Sequence, residues 1–550
     1  MRNRSRSQAV SASERDPLLH PSDLEELGKT IDREDDGGQS FDNVPQAKRQ
    51  LGLTSVVFLI FNRIIGTGIF ATPSLILKSS GSVGMTFVMW TLGALVAAAG
   101  TAVYVELGTG LPRSGGEKNY LEFIFRRPKF LMTCIYAMLA LFIGFSSANA
   151  VVLGEYVMHA FSIEPNRVNT RLFGVFALTI GFLLHSLKLQ WGLRLQNALG
   201  VFKLFVLLGI ALCGLLCLAG IPGFNLDAER RPHNFDMERI WEGTRLDANS
   251  FVTGLFNVIW SFIGYSNANY ALSEVRNPVR TIKRAAPLAI ASITVVYMLV
   301  NVAYFAVVSK EEILGGGRTV AALFFRNLFG PATEKVCTLP LIKSPQVLSV
   351  IIALSTFGNV LAVMFTQGRV VQELGREGVL PYSSIFASNK PANAPFAGLL
   401  WQWSISTVVA VAPPPGDAYN FILNLSSYPL VVINAVITIG LLFLHTRAAL
   451  DWEWEPPFRA WTPAIIFFLI SNILLLVVPL VPPLPGFSPY EHLPYWLHVV
   501  VSLFIILLGA VYWAVWAVWL PKRGGYVLER DVVLQEDGVS RNVFKREAVR

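Results

Sequence analysis

Charged residues and cysteines are scarce in this 550-residue sequence. Asp, Glu, Lys and Arg together make up 15% of the chain, whereas a soluble globular protein carries about 25%. The four cysteines lack the spacing of a disulfide framework or a zinc site, and Cys213 and Cys217 lie inside an apolar run. There is no Gly-x-x-x-x-Gly-Lys loop, which argues against an ATP-driven pump. We therefore expect no catalytic centre, no cofactor and no metal site.

What the sequence has in abundance is long apolar runs. Hydrophobic residues make up 53% of the chain, and the mean hydropathy is +0.50. A helix needs about 20 apolar residues to cross the hydrocarbon core of a bilayer. Such runs recur from residue 51 to residue 520, and we predict an all-α membrane protein with about 12 transmembrane helices, here called spans 1 to 12. The predicted spans are 51–78, 83–110, 130–159, 168–187, 194–220, 249–274, 283–308, 347–375, 396–412, 417–446, 460–482 and 495–520.

Two polar tails flank the spans, and we expect both in the cytoplasm. Residues 1–48 contain few large apolar side chains and are predicted to be disordered, while 521–550 form the second tail. The loops after spans 2, 4, 6, 8 and 10 are rich in Lys and Arg, whereas those after spans 9 and 11 contain none. The positive-inside rule gives this orientation, although the basic loop after span 7 breaks the trend. The loops also account for the net charge of +8 without nucleic acid.

Two of the spans are interrupted near their middle. Span 1 contains Gly66-Thr67-Gly68 followed by Pro73, and span 6 contains Gly264 in a polar setting. Small residues also allow close packing of helices in membranes, which is the alternative explanation for either segment alone. Together they lie five spans apart in helices of opposite direction, the pattern of an inverted repeat with discontinuous helices. Exposed N–H groups in span 1 suit a carboxylate and exposed carbonyls in span 6 suit an ammonium, so the ligand is expected to be an amino acid.

These segments resemble the amino acid–polyamine–organocation superfamily. The resemblance rests on Ile65-Gly66-Thr67-Gly68-Ile69-Phe70, on Trp260-Ser261-Phe262-Ile263-Gly264-Tyr265 and on Glu274-Val275-Arg276-Asn277-Pro278. A narrower similarity, to the fungal high-affinity methionine permeases of the L-type amino acid transporter branch, rests on Tyr104–Gly108 and Pro112–Phe123. It implies a five-plus-five inverted repeat within 49–446, with spans 11 and 12 accessory in 447–520.

The resemblance also implies a binding site and a function. The carboxylate would be bound by Gly66, Thr67, Gly68 and Ile69, and the amino group by carbonyls near Phe262, Ile263 and Gly264, with Trp260 and Tyr265 as pocket wall and gate. It implies a secondary active importer of a neutral amino acid, and we expect methionine, by proton symport. Cysteine or leucine as substrate, or an amino acid sensor that does not transport, are the alternatives.

Ionisable residues inside the spans are the candidates for coupling. In proton-coupled members of the resembled superfamily a fifth-helix Lys replaces a sodium ion, and Lys203 matches that position; the alternative is a Lys that reaches for the interface. Glu106 and Glu155 are expected to pair with an Arg such as Arg63 or Arg113 rather than to relay protons. The other polar residues that could reach the pocket are Ser146, Asn149, Ser355, Asn359 and Asn424.

The first tail contains two candidate regulatory signals. Glu14–Leu19 has the form of an acidic dileucine motif, which cytoplasmic sorting adaptors bind, although so short a motif also occurs by chance. Lys29, Lys48 and Arg49 precede span 1, where a ubiquitin ligase could act or where the basic residues simply set the topology. We expect the plasma membrane, with the vacuolar or endosomal membrane as the alternative.

Overall fold

The computed structural model describes residues 49, 51–66, 68–164, 166–222, 224, 226, 231–317, 320–329, 345–390, 392, 394–414, 416–483, 488–534 and 540–548. Within these residues, ten helices are long and apolar enough to cross a membrane. The shorter helix of span 9 and the broken helix of span 6 supply the other two predicted spans, so the predicted helical membrane fold is confirmed. The tail up to Lys48, including Glu14–Leu19 and Lys29, lies outside the described residues.

The observed spans begin and end within seven residues of the predicted ones. Span 1 consists of Leu53–Ile64, Gly68–Ala71 and Pro73–Ser80, and span 2 of Val83–Gly110. Span 3 consists of Leu131–Ile143 and Ser147–Ala160, span 4 of Arg167–Leu187, span 5 of Leu189–Leu218, and span 6 of Ala248–Phe262 and the 3-10 helix Asn267–Glu274. The remaining spans are Pro278–Val307, Pro345–Arg376, Phe396–Val411, Ala418–Leu444, Thr462–Val477 and Leu497–Trp513.

Spans 1 and 6 both break where their glycines stand. Ile65 leaves the helical conformation with a ψ of 99°, and Ile263 does so with a ψ of 126°. Gly264 follows with a φ of +123°, a conformation that side chains other than that of glycine rarely adopt. Leu51, just before span 1, forms a parallel β-bridge with Val275, just after span 6. The broken helices therefore run side by side.

Span 3 has a break that the sequence did not predict. The helix stops at Ile143 and resumes at Ser147. Ser406 of span 9 supports the break, because its hydroxyl oxygen accepts the N–H of Ser146 at 3.0 Å and its carbonyl accepts the hydroxyl of Ser147 at 2.7 Å. A neighbouring span thus supplies hydrogen-bond partners at the break, which is necessary because the bilayer core contains no water to bind free backbone groups.

The second tail, for which the sequence indicated only a polar segment, contains an antiparallel hairpin. Strand β1 is Tyr526–Leu534 and strand β2 is Ser540–Ala548, with Arg530 opposite Phe544. Arg530 donates to both carboxylate oxygens of Glu122, at 2.7 and 2.8 Å. Glu122 belongs to a short helix, Glu117–Ile124, between spans 2 and 3. The end of the bundle that carries this contact is called the hairpin end below.

Candidate functional site

A cavity of about 170 Å³ lies where the two broken helices face each other. Pockets for drug-sized ligands measure roughly 300–1,000 Å³, so this one suits a smaller molecule. Spans 1, 3, 6, 8 and 10 all contribute to its wall. The side chains and backbone that line it include Arg63, Gly66, Gly68, Tyr136, Asn149, Trp260, Ile263, Gly264, Tyr265, Tyr270, Asn359, Gln367 and Ile433.

The break in span 1 exposes the last carbonyls of its first half-helix, and side chains from other spans satisfy them. Lys203 of span 5 donates to the carbonyls of Asn62 at 2.9 Å and of Ile65 at 2.5 Å. Asn359 of span 8 also donates to the Ile65 carbonyl, at 3.3 Å. The last carbonyls of a helix have no partner within it, and its dipole leaves partial negative charge there. A buried ammonium is therefore complementary to this end of the half-helix.

A side chain of span 7 supports the breaks in both span 1 and span 6. The hydroxyl of Tyr297, in span 7, lies 3.0 Å from the carbonyl of Ser261 and 3.3 Å from that of Ile64. Both carbonyls end a half-helix. Tyr297 itself is fully buried, with its ring against Trp90 and Phe262. One residue thus connects both breaks, and nothing in its sequence surroundings indicated this role.

Glycine is required at two positions by the close approach of these half-helices. A Cβ on Gly68 would lie 2.6 Å from Oγ and 2.8 Å from Cα of Ser261. A Cβ on Gly264 would lie 2.5 Å from Cγ of Arg63. The glycines therefore let spans 1 and 6 touch, in addition to exposing their backbone.

The residues predicted for the site fall into three groups. Those that line the cavity are Gly66, Gly68, Trp260, Ile263, Gly264 and Tyr265. Ile69 and Phe262 are buried beside it, and Phe262 packs on Trp90 instead of forming the wall. Thr67 lies outside the described residues.

Lys203 lies behind the break of span 1 and not at the membrane interface. Its side chain is 1% exposed, and among the described residues its hydrogen bonds go to backbone carbonyls of span 1. A buried ammonium that binds carbonyl oxygens occupies the kind of place that a monovalent cation would take. The alternative expectation, that Lys203 reaches towards the interface, does not match this geometry.

The pairing expected for Glu106 is wrong. Its Oε1 lies 2.6 Å from Nε2 of His445 and accepts the Trp454 indole N–H at 3.1 Å, while Oε2 accepts the Ala460 N–H at 2.8 Å. None of these partners is an Arg. Arg63, one of the expected partners, lines the cavity instead. Glu106 is completely buried and joins span 2 to the connection between spans 10 and 11.

Glu117 is a second buried carboxylate, and the sequence analysis missed it. Oε1 of Glu117 accepts the Tyr104 hydroxyl at 3.0 Å and the Ser266 hydroxyl at 3.3 Å, and Tyr270 hydrogen-bonds to it as well. Burial raises the pKa of Glu117, and these hydroxyl donors oppose the rise. Since Tyr270 also lines the cavity, a polar chain leads from the cavity towards the hairpin end.

Of the five further polar candidates, two reach the cavity. Asn149 and Asn359 line it and hydrogen-bond to each other at 3.1 Å. Asn424 instead donates to the Tyr490 hydroxyl at 2.9 Å, towards the other end of the bundle. Asn359 was a candidate because it lies in an apolar span, where an amide needs a partner.

A larger cavity, of about 710 Å³, opens at the end of the bundle opposite the hairpin. The connections between spans 5 and 6 and between spans 7 and 8 form it, with a lining that includes Arg231, Arg239, Glu242, Lys310 and Arg326. It touches neither broken helix. In the described part of the chain no group of three or more His, Cys, Asp or Glu side chains could hold a metal ion.

Comparison with known proteins agrees with this architecture. Residues 51–505 match the family model for amino acid permeases. The chain belongs to the amino acid permease family. Its members are transporters and not enzymes, so the permease is a multi-pass membrane transporter of amino acids.

The permease is similar to several characterised transporters. It is 44% identical to the high-affinity methionine permease of Saccharomyces cerevisiae over 506 residues, which cover 92% of this chain and 85% of the relative. It is 29% identical to the low-affinity methionine permease of the same yeast, over 91% and 88% of the two chains. It is 26% identical to the human b(0,+)-type amino acid transporter 1, over 79% and 83%. The expected similarity to methionine permeases and to L-type transporters is confirmed.

Proposed function

We propose that the permease imports methionine across the plasma membrane, coupled to protons, with both termini in the cytoplasm. The observation that carries the proposal is the pair of broken helices facing one cavity, together with 44% identity to a methionine permease along most of the chain. Carboxylate binding at Gly66–Gly68 and amino-group binding at the carbonyls of Phe262 and Ile263 would orient the substrate.

The rest of the cavity suits a flexible apolar side chain. Leu139, Ala140, Ile143, Val363 and Ile433 provide apolar wall, and an unbranched thioether adapts well to such surroundings. Rocking of one repeat against the other around this fixed site would then expose it to each side in turn.

Lys203 is the proposed coupling element. Its ammonium fills the position behind the span 1 break where a cation would stabilise the exposed carbonyls. If it loses its proton, the carbonyls of Asn62 and Ile65 lose charge-assisted hydrogen bonds, which are worth roughly 1.5–3 kcal/mol each. Protonation and the conformation of the substrate site would thereby be linked.

Uptake by proteoliposomes tests the proposal. Purified permease should accumulate radiolabelled methionine when the outside is more acidic, and unlabelled methionine should compete better than cysteine or leucine. Binding without accumulation would favour a sensor and contradict transport. Stronger competition by another neutral amino acid would contradict methionine, and accumulation that ignores the pH gradient would contradict proton coupling.

A further inference from the structure

Arg63 is a half-buried cation to which the proposed function assigns no role. It lies in the last turn of the first half of span 1 and lines the cavity. Its stem lies close against span 6, because a Cβ on Gly264 would lie 2.5 Å from Cγ and 3.2 Å from Cβ of Arg63. The side chain of Arg63 therefore packs beside Gly264 at the cavity wall.

Within the part of the chain that the structure describes, no carboxylate pairs with Arg63. Among the described residues the cavity is lined by no Asp or Glu, and no salt bridge to Arg63 exists within that part of the chain. Glu117 does not line the cavity; Tyr270, which does, hydrogen-bonds to Glu117 and interacts electrostatically with Arg63. Lys203 offsets the partial negative charge of the span 1 carbonyls behind the break. Arg63 is thus the charged side chain among the described residues that line the cavity.

We propose that Arg63 makes the cavity reject amino acids with a cationic side chain. This inference rests on the proposed transport of methionine and names the substrate class that the same site excludes. A cavity of about 170 Å³ is roughly 7 Å across. At that separation and an effective dielectric constant of ~20, repulsion between Arg63 and a positive charge on the substrate side chain lowers affinity about 50-fold. A neutral side chain of the same size pays no such penalty.

S-methylmethionine and ethionine separate charge from size. Each adds one carbon to methionine, but only S-methylmethionine carries a positive sulfonium. The measurement is the ratio of their inhibition constants against radiolabelled methionine uptake. We expect S-methylmethionine to be about 50-fold weaker than ethionine in the wild type. In Arg63→Gln the ratio should fall at least 5-fold, while Arg63→Lys and the exposed control Arg280→Gln should keep the wild-type value.

Each outcome decides the inference. A wild-type ratio near one overturns it, as does a ratio that Arg63→Gln leaves unchanged. Arg63 acting as a carboxylate anchor would weaken all three amino acids equally, which also leaves the ratio unchanged. If Arg63→Gln binds without transporting, ligand-induced thermal stabilisation gives the same ratio, and if it does not fold, the wild-type ratio decides. Failure of the wild type to take up methionine would instead contradict the proposed function.

Discussion

Replacing Lys203 by Met should weaken substrate binding far more than it weakens the fold. The substitution preserves length and apolar stem but removes the donor to the carbonyls of Asn62 and Ile65. Ile65 retains a hydrogen bond from Asn359, so the Asn62 carbonyl is the group left without its partner. Removing a buried charge also removes its desolvation cost, which offsets the effect on global stability.

The magnitude follows from one orphaned carbonyl and one lost charge at a helix end. An unsatisfied buried acceptor costs about 1–3 kcal/mol, and a cation at a helix C-terminus contributes up to about 2 kcal/mol in a buried setting. If about 2 kcal/mol of this holds the span 1 break in its binding conformation, methionine binds roughly 30-fold more weakly.

Binding and uptake should be measured side by side across pH. Lys203→Met is expected to show roughly 30-fold weaker methionine binding, a thermal unfolding temperature close to wild type, and uptake that no longer responds to external pH. Lys188→Met, at an exposed position beside the start of the same helix, is the control and should behave like wild type. Unchanged affinity together with wild-type pH dependence would refute the role given to Lys203.

Three other substitutions test separate parts of the account. Gly68→Val should abolish uptake, because its Cβ would clash with the Ser261 backbone. The control Gly209→Val, where a Cβ meets no atom within 4 Å, should retain uptake. Equal transport activity of the two variants would contradict this packing. Tyr297→Phe removes the hydroxyl donor that two half-helix carbonyls share and should lower kcat/KM about 10-fold. Tyr304→Phe, which removes a hydroxyl with no partner among the described residues, should not. Equal kcat/KM values for the two variants would exclude the shared role of Tyr297. Although burial of Glu122 acts to raise its pKa, Lys118 and Arg530 lower it from 4.5 to about 2. The carboxylate therefore stabilises hairpin docking above pH ~4.5 and loses this effect as the pH falls towards ~2. Glu122→Gln should weaken docking by up to about 3 kcal/mol at pH 7, seen as faster hydrogen exchange in 526–548, and a difference from wild type that stays constant with pH would argue against it.

The features that could be predicted from the sequence are those that local composition determines. The apolar runs predict transmembrane helices because a single segment in lipid satisfies its backbone hydrogen bonds by forming a helix. The glycines at 66, 68 and 264 mark both breaks, since glycine is unfavourable within a helix unless something requires it.

The features that could not be predicted depend on contacts between distant residues. Glu106 pairs with His445, 339 positions away, and the same carboxylate could equally have met an Arg. The break in span 3 is supported by Ser406 of span 9. In the sequence, nothing distinguishes Tyr297 from other aromatic residues of an apolar helix. Its role follows from the fold, which brings the ends of two half-helices to its hydroxyl. Polar side chains in a span indicate that a partner exists, but not which one.

The hairpin shows the same limit outside the membrane. Residues 526–548 suggested a polar tail because nine of their 23 residues are charged and no apolar run is longer than three residues. Their stability comes from docking, with Arg530 on Glu122 and with Phe544 against the rings of Phe130 and Trp516 at 4.9 and 5.0 Å. Composition alone cannot reveal a surface that another part of the chain provides.

A cryo-electron microscopy structure of the permease with bound methionine tests the central claim most directly. The account predicts the carboxylate against the backbone N–H groups of Gly66–Gly68, the amino group against the carbonyls of Phe262 and Ile263, and the thioether towards Ile143 and Val363. Methionine bound instead in the larger cavity beside Arg231 and Lys310, with the two breaks empty, would contradict it.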